Sequence, residues 1–283
     1  MKFSQVGIAI CLAIVVISSS GCGVINRIRS KNALNEAARA YREGHFEEAE
    51  QYSRRAQELD PDNKTAPQFI ARTIHAQYRP GVQAPENIAK ARQAIEAYQK
   101  ILEKNPKDEE AYKAIAYLYG SIKEDDKLRQ WIASRATSNS VEPEKRAEAY
   151  VVLASKDWDC SYKITEQPTN KVTTIDEKNK ATVSYKKPKE QKDFDAAQMC
   201  LKRGLEEIEN AVKFDPNNES AWSYKTNLLL EASKLAEMDG KTDAKAEYQK
   251  QYEAALKRTT ELSQANEKKK EEEAKKAASP PKT

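Results

Sequence analysis

Apolar positions along most of the chain recur at helical spacing. Between residues 111 and 119, Ala111, Ile115 and Tyr119 fall on one face and polar residues on the other, which predicts an amphipathic helix. Similar stripes occupy residues 70–74, 149–154 and 194–211. We therefore expect a chain of helices, each of which buries one face.

The stripes end at a recurring phrase. Residues 56–61 (AQELDP), 101–106 (ILEKNP) and 211–216 (AVKFDP) each run from apolar residues to Asp or Asn followed by Pro. A proline disfavours helix at the residue before it and cannot continue a helix. The phrase predicts that one helix ends and the next begins at each of these three places.

One stretch departs from the helical pattern. Residues 171–175 (KVTTI) and 181–185 (ATVSY) are β-branched and partly alternating, and residues 176–180 between them are suited to a turn. We expect a small β-hairpin there, within an insertion at residues 160–192, with residues 162–165 as a third strand. A lone hairpin is marginal in water unless it is packed or pinned.

The first residues combine Lys2 with an apolar run at 6–17, followed by small residues. As a helix, this run rises about 18 Å at 1.5 Å per residue, short of a hydrocarbon core about 30 Å thick. The pattern is typical of a signal peptide at residues 1–21. An uncleaved anchor is the alternative.

Residues counted back from Pro61 are of fixed types at fixed intervals: a small residue, a glycine, an aromatic and two alanines. They are Ala37, Gly44, Phe46, Ala49, Ala56 and Pro61. This set resembles the tetratricopeptide-repeat (TPR) family, whose unit is a pair of helices about 34 residues long. In such repeats no pair buries its apolar face alone, so stacking supplies the core.

The same intervals recur downstream and predict about five irregular repeats. The implied fold class is all-α, a TPR helical-hairpin superhelix (solenoid) with a small β-hairpin-like insertion in the fourth repeat. A loop at 79–87 lengthens the second repeat. The predicted division is a signal peptide (1–21), a lipid-anchored tether (22–30), repeats at 31–63, 64–108, 109–142, 143–218 and 219–262, and a charged tail (263–283).

Cys22 follows Ser20 and Gly21, and this context resembles the cleavage site of bacterial lipoproteins. The resemblance implies lipid attachment at Cys22 and a periplasm-facing place in the bacterial cell envelope, with the outer membrane favoured. Ser19 stands where an aliphatic residue is usual.

Two cysteines remain after the leader and the lipid site. Cys160 and Cys200 flank the insertion, on helices expected to be antiparallel neighbours, in a compartment that permits disulfides. A disulfide there would stabilise the fold by about 4 kcal/mol on the chain-entropy estimate. Two buried thiols are the alternative, and the disulfide is favoured.

Composition and charge exclude several classes of function. The chain has 48 basic and 44 acidic side chains, a net charge of +4, well mixed along the sequence, which does not call for nucleic acid. Its 8 glycines form no phosphate-binding loop, and His45 and His75 are isolated. We therefore expect no catalysis, no metal, no cofactor and no small-molecule substrate.

The TPR resemblance implies a concave groove, lined by the first helix of each repeat, that binds a protein or peptide. The interpretation is a scaffold that organises an envelope complex. The alternatives are a periplasmic chaperone or an adaptor for an envelope enzyme, and an enzyme with a site in residues 160–192. The groove residues implied by the family positions are Tyr41, Arg42, Gln68, Arg72, His75, Lys113, Tyr117, Ser223 and Asn227.

Overall fold

The computed structural model describes residues 4–278, and the side chains of residues 23–276. The chain divides into two compact units, Met1–Leu128 and Arg129–Thr283, here called the N-terminal unit and the C-terminal unit. The side chains described do not include those of the predicted signal peptide or of Cys22, the predicted lipid site. None of the helices in the described part is long and apolar enough to cross a membrane.

The N-terminal unit consists of helices, of which the first five pack in sequence order, each against the next. The helices are α1 (Ser4–Arg42), α2 (Phe46–Leu59), α3 (Ala66–Gln77), α4 (Pro85–Lys104), α5 (Glu109–Ser121) and the start of α6 (Asp125–Thr137). Residues 22–30, predicted as a tether, belong to α1. Packing begins at the end of this stretch, where Ser30 is buried and its hydroxyl donates to the carbonyl of Ala56 at 2.8 Å.

The Asp/Asn-Pro phrase ends three helices in the same way. The backbone N–H of Asp60, Asn105 and Asp215 donates to the carbonyl four residues earlier, at 3.1, 2.8 and 3.0 Å. The next helices are capped by side chains where the sequence allows it. Asp108 and Asn218 each accept a bond from the amide of the alanine three residues on, at 3.0 Å. The prediction that these phrases end helices is confirmed.

Small residues allow close packing within each hairpin. Ala37, Ala49 and Ala56 are fully buried between α1 and α2. Gly44 between these helices has a positive φ of 82°, a conformation that favours glycine. These four residues, which are among those that carried the family resemblance, therefore form the packing and the turn between the two helices of the first hairpin.

The C-terminal unit contains the rest of α6, a further helical hairpin, the insertion and a last hairpin. Its elements are α7 (Pro143–Thr165), a 3-10 turn (Pro168–Asn170), β1 (Lys171–Ile175), β2 (Ala181–Tyr185), α8 (Gln191–Phe214), α9 (Glu219–Met238) and α10 (Thr242–Ala278). The core lies between α7, α8 and α9, around Ile208, Leu228 and Ala154. The predicted fold class, all-α helical hairpins with a small inserted hairpin, is confirmed.

The insertion differs from the prediction at its start. Helix α7 does not end at Cys160 but continues to Thr165, so the expected third strand at 162–165 is wrong. Ser161 and Thr165 are fully buried, and the hydroxyl of Thr165 donates to Glu231 of α9 at 2.6 Å. Contacts with α9 therefore hold residues of low helix propensity in a helix.

The two predicted strands form as expected. β1 and β2 pair antiparallel, from Lys171 opposite Tyr185 to Ile175 opposite Ala181. Asp176 organises the turn, because its carboxylate accepts bonds from the amides of Lys178 and Lys180 at 2.9 and 2.8 Å. At the base of the insertion, Cys160 and Cys200 form a disulfide between α7 and α8.

Candidate functional site

A groove of about 760 Å³ lies on the N-terminal unit, and is here called the N-terminal groove. Side chains from α1, α3, α4 and α5 line it, because each of these helices presents one face to the same side of the unit. Aromatic and basic groups predominate among them. The lining residues used below are Tyr41, Arg72, His75, Tyr98, Glu110, Lys113 and Tyr117.

A charged pair crosses the groove. Arg72 of α3 donates two bonds to Glu110 of α5, Nε to Oε1 at 2.8 Å and Nη2 to Oε2 at 2.5 Å. The bond from Arg72 to Glu110 raises the pKa of the guanidinium. Both side chains are about half exposed, at 45% and 60%, so this pair contributes little stability and remains accessible to a partner.

Aromatic rings surround His75 at the base of the groove. Its Nδ1 lies 3.3 Å from the hydroxyl of Tyr98, and the two rings meet edge to face with centroids 5.9 Å apart. The ring of Tyr117 lies 5.8 Å from the His75 ring. Burial lowers the pKa of His75, which favours the neutral imidazole, and burial also raises the pKa of Tyr98 to about 12.

The upper part of the groove is open. Tyr117 is 51% exposed and Tyr41 is 38% exposed. Lys113 is exposed between them in the lining. Rings and a free ammonium at an open surface suit contact with a peptide, since an aromatic side chain offers a large contact area at low entropic cost.

The structure brings together five of the nine predicted groove residues. Tyr41, Arg72, His75, Lys113 and Tyr117 line the N-terminal groove. Gln68 instead lines a separate depression of about 540 Å³ near Pro61 and Asp108, and it is not among the residues that line the N-terminal groove. The reason is that Gln68 lies one helical turn before Arg72, towards the loop end of α3.

The other three predicted residues lie elsewhere. Arg42, at the end of α1, is exposed but does not line the groove. Ser223 and Asn227 are half-buried on α9 of the C-terminal unit. No depression described on that unit includes either of them.

Six residues of the groove lining were missed by the sequence analysis, and two of them, Glu110 and Tyr98, contact the predicted residues Arg72 and His75. Glu110 was overlooked because it is one of many acidic residues at the start of a helix, where a solvated position is the usual expectation. Tyr98 was not selected because it lies on the second helix of its repeat, whereas the groove was expected to be lined by first helices. It is 4% exposed, yet its hydroxyl reaches the groove through His75.

In the C-terminal unit a second group of polar side chains anchors the β-hairpin, and is here called the hairpin clamp. Lys234 of α9 donates to Glu231 at 2.5 Å and to Glu166 at 2.6 Å. The hydroxyl of Tyr185 in β2 donates to Glu166 at 3.0 Å. The clamp consists of Thr165, Glu166, Lys171, Tyr185, Glu231 and Lys234.

The clamp is buried and its charges are compensated. Burial opposes ionisation of Lys234 and Glu166, but the bonds between them outweigh it. They raise the pKa of Lys234, while bonds from Lys171, Lys234 and Tyr185 lower the pKa of Glu166 to about 2. Glu166 and Lys234 are therefore both ionised at neutral pH.

A third charged group, also in the C-terminal unit, surrounds Asp157. This carboxylate is 2% exposed and accepts bonds from Arg129 at 2.9 Å and from Arg203 at 2.8 Å. Arg129 also contacts Glu207, whose pKa is raised by burial and by Asp157. The group joins α6, α7 and α8 and has the character of a buried structural network. Nowhere in the described part do three or more His, Cys, Asp or Glu side chains cluster as a metal would require.

Comparison with known proteins gives helical-repeat matches. The family model of the protein prenyltransferase alpha subunit repeat matches residues 201–232, within α8 and α9. No curated protein matches the sequence.

Several solved structures are similar over most of the chain. MamA (41-end) from Desulfovibrio magneticus RS-1 has 15% identity and a TM-score of 0.38, over 84% of this chain and 96% of that one. PilF of Pseudomonas aeruginosa has 14% identity and a TM-score of 0.33, over 85% and 99%. A tetratricopeptide repeat protein from Parabacteroides merdae ATCC 43184 has 13% identity and a TM-score of 0.34, over 83% and 97%.

Proposed function

We propose that this chain, which is a helical-repeat protein of the tetratricopeptide type, is a non-catalytic scaffold that binds a partner protein in its N-terminal groove. The observation that carries the proposal is the convergence of aromatic and basic side chains from four helices on one open groove. Arg72 and Lys113 supply positive charge and Tyr41 and Tyr117 supply exposed rings. The ligand that fits is an extended peptide segment with acidic and apolar side chains.

A second part of the proposal concerns location. The leader at residues 1–21 and the cysteine that follows it favour a lipid anchor at Cys22 and a position in the bacterial cell envelope. An anchored scaffold would hold its partner near the membrane. This part is independent of the groove and has its own test.

The groove is tested by site-specific photocrosslinking in the intact host cell. A photoreactive phenylalanine analogue at Tyr117 should capture one protein at defined stoichiometry, whereas the same group at Arg55, exposed on α2, should not. Lys113→Glu should abolish the crosslink, and Lys100→Glu, outside the groove, should preserve it. Capture of many unrelated proteins would instead favour the chaperone alternative, and equal capture from Arg55 would contradict groove binding.

The anchor is tested by metabolic labelling with palmitate. We expect the label on the wild-type chain and on Cys11→Ala, and its loss in Cys22→Ala. Label that persists in Cys22→Ala would show that lipidation at this cysteine is wrong.

A further inference from the structure

The β-hairpin has one edge whose backbone groups face outward. Lys186 N donates to Asn170 O at 3.0 Å, and Asp176 N donates to Lys180 O at 3.1 Å. In an antiparallel ladder, pairs that exchange hydrogen bonds alternate with pairs that do not. From these two bonds and the register, every second residue of β1 points its N–H and C=O away from β2. These residues are Lys171, Thr173 and Ile175.

The two edges of the hairpin differ in what covers them. On the β2 side, the outward N–H of Tyr185 donates to Glu237 of α9 at 3.2 Å, so a helix side chain covers that edge at its base. On the β1 side, Thr173 and Ile175 are exposed, and Ile175 reaches 68%. The edge of β1 carries no proline and no bulge, two of the devices that protect edge strands.

This edge is held in place before any partner arrives. The hairpin clamp fixes Tyr185 and Lys171, the residue pair at the base of the ladder. The disulfide between Cys160 and Cys200 joins the two helices from which the insertion emerges. Because this edge is already ordered, only the added strand loses conformational freedom on binding, which lowers the entropic cost.

The side chains around the edge are apolar and basic. Val172, Ile175 and Val183 are exposed by 39%, 68% and 46%. Between residues 171 and 189, six lysines stand against two carboxylates, an excess of four positive charges that equals the formal net charge of the whole chain. Lys171 and Lys187 pair with acidic residues of the helices, which leaves the other four lysines to attract an acidic partner.

We propose that the outer edge of β1 binds an extended, acidic segment of a partner protein as a third strand. The outward amides of Thr173 and Ile175 bind its backbone, the side chains of these two residues contact its alternate aliphatic side chains, and Lys178 and Lys180 pair with its flanking carboxylates. The site is on the C-terminal unit and does not depend on the N-terminal groove.

Charge distinguishes this occupant from two others. A second copy of the chain would bring one basic hairpin against another, and like charges opposed across strands are destabilising. An anionic membrane would meet Asp176 and Glu177 at the turn, next to Ile175, the exposed apolar residue that would have to enter it. An acidic protein segment that lies along the edge avoids both conflicts.

The test uses a proline that removes only the outward amide. Thr173→Pro deletes one N–H that does not belong to the ladder, and prolines are tolerated on edge strands at such positions. Thr173→Val keeps the amide and is the matched control. Amide exchange at Val172 and Thr174 should remain slow in both variants, which establishes that the hairpin is still folded.

The probe is a library of random peptides displayed on phage. Peptides that bind the full chain are selected and then resynthesised. We expect one enriched group with alternate aliphatic and flanking acidic residues. Its affinity should fall about tenfold or more in Thr173→Pro and remain unchanged in Thr173→Val, since a lost strand hydrogen bond and the proline ring both oppose pairing. Lys178→Glu combined with Lys180→Glu should also weaken it.

Three outcomes would overturn the proposal. The first is that every enriched peptide binds Thr173→Pro as tightly as the wild type. The second is that vesicles of phosphatidylglycerol, compared with phosphatidylcholine, bind the chain through Lys178 and Lys180 while no peptide depends on Thr173. The third is that sedimentation shows a dimer that Thr173→Pro converts to a monomer.

Discussion

The two units of the chain place their charged side chains in different environments. Among the described side chains of the N-terminal unit, the buried polar ones, tyrosines aside, are the hydroxyls of Ser30, Ser53 and Thr73, and the Arg72–Glu110 pair is exposed. The C-terminal unit buries two carboxylates and an ammonium, those of Asp157, Glu231 and Lys234.

For Glu231 and Lys234 the difference follows from the interruption of the repeat pattern, whereas Asp157 pairs with Arg129 and Arg203 of neighbouring helices. Where repeats follow one another directly, alanines and aliphatic residues fill the space between helices, and charges remain on the surface for a partner. The insertion between α7 and α8 adds a hairpin that is too small to have a core of its own. Buried, mutually paired charges attach this hairpin to α7 and α9, so the charges serve the fold there.

The strongest test of this contrast is the removal of one buried charge. Lys234→Met leaves Glu231 without its cation and leaves Glu166 with Lys171 alone, and breaking a buried pair costs about 3–5 kcal/mol. Arg72→Met in the N-terminal unit is the matched change and should cost about 0–1 kcal/mol. Denaturant unfolding measures both.

The tryptophans allow the two units to be observed separately. Trp131, Trp158 and Trp222 all lie in the C-terminal unit, so their fluorescence reports Lys234→Met, while amide exchange reports Arg72→Met. The double variant Lys234→Met with Glu231→Gln should recover part of the loss. Equal effects of the two single variants would contradict the contrast.

Loss of the disulfide should be the next largest effect. The bridge closes a separation of 40 residues, and Cys160→Ser with Cys200→Ser should destabilise the C-terminal unit by about 2–4 kcal/mol. The N-terminal unit should keep its amide protection, because it contains neither cysteine. Addition of reductant to the wild type is the control, and it should reproduce the result for the double variant.

Close helix packing provides a third comparison between the units. A Cβ on Gly204 would lie 2.7 Å from Cδ2 of the buried Leu228 and 3.3 Å from Cβ of Asp157. Gly204→Ala should therefore cost about 1–3 kcal/mol through overpacking. Gly120→Ala, whose Cβ would meet Leu128 at an ordinary 3.5 Å, should change the free energy of unfolding by less than about 1 kcal/mol. Thermal unfolding of both variants measures the two losses of stability. A larger loss in Gly120→Ala than in Gly204→Ala would contradict the prediction.

The smallest predicted effect is a pH dependence of the hairpin clamp. The pKa of Glu166 lies at about 2 in the folded chain, below its ordinary value of 4.5. The carboxylate therefore stabilises the fold above pH 4.5, and this contribution is lost as the pH falls towards 2. The stability difference between wild type and Glu166→Gln should shrink over that interval.

A Tyr185→Phe variant is an intermediate control for the pH dependence that Glu166 confers. Tyr185→Phe removes one of the hydrogen bonds that lower the pKa of Glu166, so the loss of stability should begin at a higher pH than in the wild type. Amide exchange of β1 and β2 follows the hairpin directly. If Glu166→Gln left the pH dependence of hairpin stability unchanged, groups other than Glu166 would control that dependence.

Much of the architecture could be predicted because its signals are local. The β-branched runs at Lys171–Ile175 and Ala181–Tyr185 specified both strands to the residue, with Asp176 in the turn between them. The end of α7 could not be predicted in this way. Ser161 and Thr165 have low helix propensity, yet both are buried within the helix, and the hydroxyl of Thr165 is bonded to Glu231 of α9.

The site was predictable in part for the same reason. Arg72, His75 and Tyr117 occupy positions that the repeat pattern directs to the groove. Glu110 and Tyr98 could not be selected from the sequence. Glu110 meets Arg72 across 38 residues of sequence, and Tyr98 meets His75 across 23. No local pattern distinguishes a carboxylate that pairs across a groove from one that is solvated.

The sequence by itself determined the periodicity of the helices, the Asp/Asn-Pro phrases that end them, the strands of the insertion and the two cysteines at its base. Only the tertiary structure decided which charges are buried and with which partners, as for Lys234, which meets Glu166 across 68 residues. It also decided which edge of the hairpin is open, through the bond between Tyr185 and Glu237. The physical reason is range: propensity and periodicity act within a few residues, whereas desolvation and ion pairing depend on side chains that only folding brings together.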